Sequence, residues 1–166
     1  MKYEVKVNLN DKDLYSFLMY HNYHGAQGKL GILVAVLAVV AAIVTFGRVE
    51  TMYTILYAVC AVVFLVYTPL SLKLKSKKQF VLVPDLKEEM TYTFADEGIT
   101  SSMKEQSVSV KWINLFKIVD TKDYLYVYTD RLHASIIPKA AIKPEDYEGL
   151  LEFMSLKAPK GKVKIK

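Results

Sequence analysis

Acidic side chains stand in neighbouring pairs at three places, and paired carboxylates can work as general acid and general base. The pairs are Glu88-Glu89, Asp96-Glu97 and Glu145-Asp146. Each falls at a predicted turn or at the start of a predicted helix, where local structure explains it. The sequence also has no Gly-rich phosphate loop, no His-Glu-x-x-His and no Gly-x-Ser-x-Gly nucleophile motif. We therefore expect a protein that is not an enzyme and uses no cofactor.

Two histidines, His21 and His24, are three residues apart and would share one face of a helix. A metal site needs further ligands with supporting hydrogen bonds, and the nearby sequence supplies no matching pair. His133 is too distant in sequence for its position to be inferred. The single cysteine, Cys60, excludes a disulfide within the chain and a zinc site built on thiolates. We expect no metal site.

Two side chains remain as candidates for contact with a partner. Trp112, together with the Tyr-rich segment 124–129, could form an aromatic patch for a ligand. The alternative is that these aromatic residues alternate along strands and form the core of a sheet. Lys139 directly follows Pro138 and is a candidate contact for a phosphate or a partner, with a solvated loop lysine as its alternative.

The elements that would position these residues begin with two uncharged apolar runs, 30–46 and 51–72. At 1.5 Å per residue they give about 26 Å and about 33 Å of helix, against about 30 Å for the hydrocarbon core of a bilayer. Only a helix can satisfy its backbone polar groups in lipid over such a length. A cleaved signal peptide would have its apolar run nearer the amino terminus. We predict a transmembrane hairpin within residues 29–73.

Lysines flank this hairpin unevenly. The connecting loop has one basic residue, Arg48, whose charge is offset by Glu50, whereas Lys73, Lys75, Lys77 and Lys78 follow the second run without an acid among them. Four more lysines precede the first run: Lys2, Lys6, Lys12 and Lys29. Because basic residues stay on the cytoplasmic side, we predict a multi-pass protein of the cell membrane with both termini cytoplasmic. The four lysines after the second run are candidate contacts for anionic lipid headgroups.

The net charge of +5 is distributed unevenly along the chain. Residues 79–156 hold 13 acidic and 8 basic side chains, and residues 157–166 hold five lysines without an acid. An acidic body argues against nucleic acid as a partner. The expected partners are the bilayer, anionic headgroups, a membrane protein or peptide, and a second copy of the chain. For the basic tail, 158–166, a disordered solubilising end and membrane contact remain open.

Alternation of apolar and polar residues predicts strands on both sides of the hairpin. Residues 1–28 are predicted to form a strand, Lys2–Leu9, followed by an amphipathic helix. Asn10 would cap the start of this helix together with Asp13, three residues further along. Residues 79–157 read as about six short strands closed by a helix that starts at Pro144. The predicted class is α+β, with a small barrel-like or meander domain. Whether the amino-terminal strand joins its sheet is open.

Four short motifs stand in this region: Tyr92-Thr-Phe-Ala-Asp-Glu-Gly98-Ile99, Trp112-x-x-Leu115-x-Lys117-Ile118, Tyr124-Leu-Tyr126 and Ile136-Ile-Pro138-Lys139. Together they resemble the YcxB-like family of small bacterial membrane proteins over about residues 88–156. The chain departs from the family at Ala140 and Ile142, where Arg and Phe are usual. The resemblance implies a pleckstrin-homology-like cytoplasmic domain after paired membrane spans, with no catalytic set. A related bacterial group of similar architecture includes bacteriocin immunity proteins.

The sequence thus favours a non-catalytic interaction protein anchored at the cytoplasmic face of a bacterial membrane. Bacteriocin immunity or envelope protection is its most concrete role. The alternative is a structural or regulatory subunit of a membrane complex, because small residues in the first span allow close helix approach. These are Gly31, Ala35, Ala38, Ala41 and Ala42.

Overall fold

The structure, a computed structural model, describes residues 2–104 and 106–164. The predicted α+β class is confirmed: two long apolar helices are followed by a β-rich region and a closing helix. The chain forms two compact units, one from residues 14–82 and the other from residues 1–13 and 83–166. We call them the helical unit and the β-rich unit.

The helical unit begins within α1 (Asp11–His24), whose start has the predicted cap. The Asn10 side-chain oxygen accepts the N–H groups of Lys12 and Asp13 at 2.8 and 3.1 Å. The Asp13 carboxylate in turn accepts the Asn10 N–H at 2.9 Å. This reciprocal pair is a capping box, and the predicted cap is confirmed.

Two helical segments of the helical unit are long and apolar enough to cross a membrane. The first is α2 (Ala26–Thr45). The second is continuous from Thr51 to Leu82 and comprises α3 (Thr51–Val62), a π-helical turn (Val63–Tyr67) and α4 (Thr68–Leu82). It extends ten residues beyond the predicted end of the second span, because the lysine-rich segment keeps helical geometry.

The β-rich unit contains two four-stranded sheets. Sheet A comprises β1 (Tyr3–Val7), β2 (Met90–Ala95), β3 (Gly98–Met103) and β4 (Gln106–Lys111), in that order and all antiparallel. The strand before the apolar helices therefore does join the later sheet, with Val5 opposite Tyr92.

Sheet B comprises β5 (Lys117–Asp120), β6 (Tyr124–Tyr128) and β7 (Ala134–Pro138), which form an antiparallel meander. A two-residue strand, β8 (Val163–Lys164), pairs in parallel with β5. Part of the basic tail is thus ordered, and disorder is the wrong alternative for these two residues. Ile165 and Lys166 lie outside the described residues.

The helix α5 (Pro144–Lys157) begins at Pro144 as predicted. Its Leu150 and Met154 are fully buried, as are Ile118, Leu125 and Ile137 of sheet B. In sheet A, Val7 and Phe94 are fully buried as well.

Of the two predicted forms of this domain, barrel-like or meander, the structure shows a meander: the described residues form two sheets and no closed barrel. Closure would need hydrogen bonds from one sheet to the next along a continuous ladder. Between β4 and β5 the chain instead makes a 3₁₀ turn (Trp112–Asn114), and β4 pairs with β3 alone.

Candidate functional site

The two long helices expose an extensive apolar surface. Few residues are buried in the apolar stretch of either long helix: 11% of that stretch in α2 and 6% in the second helix. Large apolar side chains such as Leu37, Ile43 and Val66 are more than half exposed. A helix in the core of a soluble protein would instead be mostly buried.

The few buried positions in these helices are small residues. Ala35 of α2 and Ala61 of α3 are almost fully buried, and the two helices pack against each other. Gly31 faces the ring of Phe64, to which an added Cβ would come within 3.9 Å. Small side chains of the first span are therefore used for packing inside this helix pair.

The four predicted lipid-contact lysines, Lys73, Lys75, Lys77 and Lys78, are all exposed on α4. At 100° per residue they cover more than half of the helix circumference. The remaining side carries Ser76, which is buried and donates its hydroxyl to the carbonyl oxygen of Lys73 at 2.9 Å. We refer to these four residues as the lysine cluster.

Trp112, predicted as a contact for a ligand or partner, lies in the core of the β-rich unit. Its indole N–H donates to the carbonyl oxygen of Ala95 at 2.8 Å, and its ring meets Phe153 edge to face at 5.9 Å. The side chain is 5% exposed. The structure thus favours the alternative for Trp112, a core residue that joins sheet A to α5.

Lys139, the other predicted contact, is engaged inside the β-rich unit. Its ammonium donates to the Asp120 carboxylate at 2.6 Å and lies 4.7 Å from the centre of the Tyr147 ring. The Tyr147 hydroxyl donates to the same Asp120 oxygen at 2.7 Å. Asp120 is buried, so this cluster fastens the end of β5 to α5.

The charges of this cluster follow from its contacts. Partial burial opposes the charge on Lys139, but the hydrogen bonds to Asp120 and Tyr147 outweigh it and raise the pKa of the lysine. Burial also raises the pKa of the Tyr147 phenol. The ammonium form of Lys139 is therefore held at neutral pH, and a phosphate would have to compete with Asp120 for it.

A second buried carboxylate, that of Asp13, contacts β6, and no sequence pattern indicated this contact. Asp13 accepts the hydroxyl of Tyr124 at 3.0 Å in addition to the Asn10 N–H. The two residues are 111 positions apart. Sequence spacing shows only the capping role of Asp13, because its contact with Tyr124 depends on tertiary structure.

Each of the three acidic pairs has at least one residue with a structural role. Glu88 and Glu89 form ion pairs with Lys104 and Lys6 at 3.0 and 3.8 Å. Asp96 pairs with Lys157 at 2.6 Å. The third acidic pair, Glu145-Asp146, occupies the first turn of α5, where acids complement the helix dipole.

The histidines are placed apart from any metal-binding cluster. In the described part of the chain, no group of three or more His, Cys, Asp and Glu side chains could hold a metal ion. His24 stacks on Tyr20 with ring centres 3.9 Å apart. His133 contacts Asp130, whose pKa is lowered to about 2 by the backbone N–H groups of Leu132 and His133 and by the imidazole.

A surface cleft of about 380 Å³ lies beside β1 and the start of α5. Its lining includes charges of both signs, namely Glu4, Lys6, Lys143 and Asp146. No sequence motif indicated this cleft, because it forms only when β1 docks beside a segment about 140 residues away. Mixed charges without a dominant sign give it no clear ligand class.

One family model matches the chain. Residues 94–154, just over a third of the sequence, match the family described as YcxB-like protein. The match begins at the end of β2 and runs into α5, which confirms the resemblance for the β-rich unit and includes none of the helices α1 to α4. No curated protein and no solved structure matches.

Proposed function

For a chain with this YcxB-like segment, we propose the function of a membrane-anchored, non-catalytic interaction protein. Helices α2 to α4 anchor it in a bacterial membrane, and the β-rich unit acts on the cytoplasmic side. Its two sheets and closing helix serve as a pleckstrin-homology-like module, and its concrete role is bacteriocin immunity or envelope protection.

The exposed apolar surface of the two long helices carries this proposal. Each Å² of apolar side chain that stays exposed to water costs about 25 cal/mol relative to burial in an apolar environment. A bilayer covers such a surface, whereas contact of the helices with each other buries mainly small residues such as Ala35 and Ala61. Lipid is therefore the environment that best fits the side chains these helices expose.

The lysine cluster supports the orientation. It follows the apolar part of the second helix without an intervening acid, and positively charged flanks remain on the cytoplasmic side. Each lysine near an anionic leaflet contributes about 1 kcal/mol of attraction. The turn between α2 and α3 then lies outside, where it offers little polypeptide to an external ligand.

A non-catalytic role is supported by the contacts of the candidate residues. Trp112 and Lys139 are used in internal packing and an internal ion pair. The acidic pairs are explained by ion pairs with lysines and by the start of α5. The architecture of paired spans before a β-rich module supports the role in immunity.

The alternative, a subunit of a membrane complex, depended on the small residues of the first span. Ala35 is buried where α2 meets α3, and Gly31 faces Phe64 within the same unit. These two residues of the surface are thus used for packing within the chain.

One experiment tests location and role together. The protein is expressed in a bacterium that is sensitive to membrane-active bacteriocin peptides, with a fluorescent reporter at its C-terminus. We expect fluorescence in the membrane fraction and at least a fourfold rise in the inhibitory peptide concentration. Changing the lysine cluster to glutamine should reduce both, because the anionic contact and the topogenic charge are lost.

The matched control changes four exposed lysines of the β-rich unit, Lys111, Lys122, Lys143 and Lys160, to glutamine. It has the same net charge as the cluster variant and should behave as the wild type. A soluble wild-type protein, or an exterior C-terminus, would contradict the anchoring. Correct membrane insertion without any change in peptide sensitivity would contradict immunity alone.

A further inference from the structure

Two loops next to sheet B lie side by side at one end of the β-rich unit. The first, residues 112–116, precedes β5, and the second, residues 129–133, joins β6 to β7. Because β5 and β6 are antiparallel, the start of β5 lies beside the end of β6. The Phe116 N–H donates to the carbonyl oxygen of Tyr128, the last residue of β6, at 2.9 Å. We call these two loops, together with Lys117, the loop end.

Three large apolar side chains of the loop end are exposed. Ile113 and Leu132 are 68% and 67% exposed, and Phe116 is 41% exposed. The opposite end of sheet B is formed by residues 120–124 and 138–146, all of which the structure describes, and it has no exposed large apolar side chain. Apolar side chains that are exposed together on one surface indicate contact with a partner or a membrane.

Two further segments of the β-rich unit contact the loop end. The indole N–H of Trp112 donates to the carbonyl oxygen of Ala95, the last residue of β2. The ammonium of Lys162, which precedes β8, donates to the carbonyl oxygens of Ile113 and Leu115 at 3.1 and 2.6 Å. The turn after β2 and the segment before β8 therefore contribute their charges to the same surface.

The loop end is the basic end of an otherwise acidic unit. With the segments that contact it, it holds six bases and three acids, counted over residues 95–98, 111–117, 128–133 and 156–162. Two of the acids, Asp96 and Asp130, already have partners within the unit. The two segments of the opposite end hold three bases and four acids. An anionic surface is therefore attracted to the loop end rather than to the opposite end.

Apolar and basic side chains are neighbours within the loop end. Phe116 is followed by Lys117, and Leu132 is preceded by Arg131, which is exposed. Partial burial and the charge of Lys164 lower the pKa of Lys117, so an anion close to this ammonium would offset the repulsion between the two lysines. The combination suits the boundary between the headgroups and the acyl chains of a bilayer, where apolar side chains enter and cations stay with the phosphates.

An anionic bilayer is the partner that fits both properties of the loop end. A small anion would contact the bases but leave the exposed apolar side chains in water. An acidic protein would have to supply a matching apolar surface, whereas a bilayer has an apolar layer beneath its phosphates everywhere. The same chain also has two helices long and apolar enough to cross a membrane, which would keep a bilayer close to the β-rich unit.

We propose that the loop end binds the surface of an anionic bilayer, with Ile113 and Leu132 entering the boundary below the headgroups and Arg131 at the lipid phosphates. Phe116 and Lys117 provide a second apolar side chain with a neighbouring cation. This inference rests on the proposed membrane anchoring, and it gives the β-rich unit a lipid partner of its own. Binding through the loop end is additional to anchoring, so its loss leaves the long helices in the bilayer.

A fluorophore at the loop end reports this contact in the full-length protein. Cys60 is the single cysteine, so Cys60→Ala gives a background in which Leu132→Cys can be labelled with a polarity-sensitive nitrobenzoxadiazole group. The labelled protein is reconstituted in phosphatidylcholine vesicles with or without about one third phosphatidylglycerol. We expect the fluorescence to be at least about twofold higher in the anionic vesicles, because the group leaves water for the headgroup boundary.

Lys122→Cys, at an exposed position of the opposite end, carries the same fluorophore as the control. Its fluorescence should be equal in the two kinds of vesicle, and an equal rise at both positions would overturn the proposal. Alkaline carbonate extraction separates this proposal from the anchoring. Protein that resists extraction but shows no rise at Leu132→Cys would contradict loop-end binding alone. Protein that is extracted, yet shows the rise when mixed with anionic vesicles, would contradict the anchoring alone.

The contribution of charge is tested with Arg131→Gln, measured with the fluorophore at Ile113→Cys. The rise that depends on phosphatidylglycerol should fall at least about twofold, because one cation is lost from the anionic surface. Arg131→Lys, which keeps the charge, should keep the rise. Lys122→Gln removes the same charge from the opposite end and should leave the rise unchanged. Equal effects of Arg131→Gln and Lys122→Gln would overturn the site, since net charge alone would explain them.

The contribution of the apolar side chains is tested with Ile113→Ser, measured with the fluorophore at Leu132→Cys. The rise should fall at least about twofold, because less apolar surface enters the bilayer. Val108→Ser, at a valine of β4 that is 62% exposed and lies outside the loop end, is the matched control and should keep the rise. Both side chains are exposed, so the fold should be retained, as a thermal melt can verify. An unchanged rise in folded Ile113→Ser would overturn the proposed entry of apolar side chains into the bilayer.

Discussion

At the scale of single residues, side chains that looked available for partners are engaged in the fold. Trp112 donates its indole N–H to Ala95, and Lys139 pairs with a buried carboxylate. The residues that flank Trp112 and Lys139 in the sequence do not indicate these contacts. The partners of Lys139, Asp120 and Tyr147, belong to other elements of the fold. Type and spacing identify a residue that can do chemistry, whereas its partners determine whether it is free to do so.

The Lys139 contact gives a prediction at this scale. Lys139→Met keeps most of the apolar stem but leaves buried Asp120 with the Tyr147 hydroxyl as its remaining side-chain donor. We expect a loss of about 1–3 kcal/mol in the free energy of unfolding at pH 7, measured by chemical denaturation in detergent. Lys122→Met, at an exposed lysine of the adjacent turn, is the control and should cost little.

The difference in the free energy of unfolding between wild type and Lys139→Met should depend on pH, and the direction of this dependence can be predicted. The pKa of Lys139 is higher in the folded protein than its ordinary value of 10.5. Its stabilising contribution is therefore complete below pH 10.5 and declines as the pH rises through the folded value. The difference in the free energy of unfolding between wild type and Lys139→Met should become smaller in strongly alkaline solution. A difference that becomes larger there would contradict a stabilising role of the Lys139 ammonium.

At the scale of elements, local signals were reliable where they act within a few residues. The capping box at Asn10 and the start of α5 at Pro144 appear as predicted. The end of the second long helix did not follow from hydropathy, because lysines are good helix formers and α4 continues through them to Leu82.

A glycine in β3 gives the prediction for this scale. A Cβ at Gly98 would collide with the carbonyl oxygen of Val110 and lie 2.9 Å from the Lys111 Cα, both in the backbone of β4. Gly98→Ala should therefore push β4 away from β3 and cost about 1–3 kcal/mol of stability. Ser102→Ala, a substitution in the same strand that adds no atom, is the control. The thermal midpoint of Gly98→Ala should be lower than that of Ser102→Ala, and equal midpoints would contradict the prediction.

At the scale of the whole molecule, the β-rich unit is assembled from two distant parts of the sequence. β1 precedes the long helices and β2 follows them, yet the two strands pair along five residues. The helical segment is thus an insertion between neighbouring strands of one sheet. Sheet A is incomplete until residues on both sides of that insertion have been synthesised.

The buried face of β1 allows this assembly to be tested. Val7→Ala removes two methyl groups from a fully buried site and should cost about 2 kcal/mol. Limited proteolysis should then cut within residues 2–9 faster than in wild type, since β1 is held less firmly against β2. Lys6→Ala, on the exposed face of the same strand, serves as the comparison, and equal protection in both variants would argue against a structural role for β1.

The sequence by itself determined the α+β class, the presence of about six short strands within residues 79–157, both apolar helices and the YcxB-like resemblance. These features depend on periodicity, composition and local capping, all of which involve residues close together in the sequence. Tertiary structure decided the pairing of β1 with β2, the separation into two sheets instead of a barrel, and the contacts of Trp112 and Lys139. Each of these depends on residues far apart in sequence, whose meeting is set by packing and buried hydrogen bonds rather than by any local pattern.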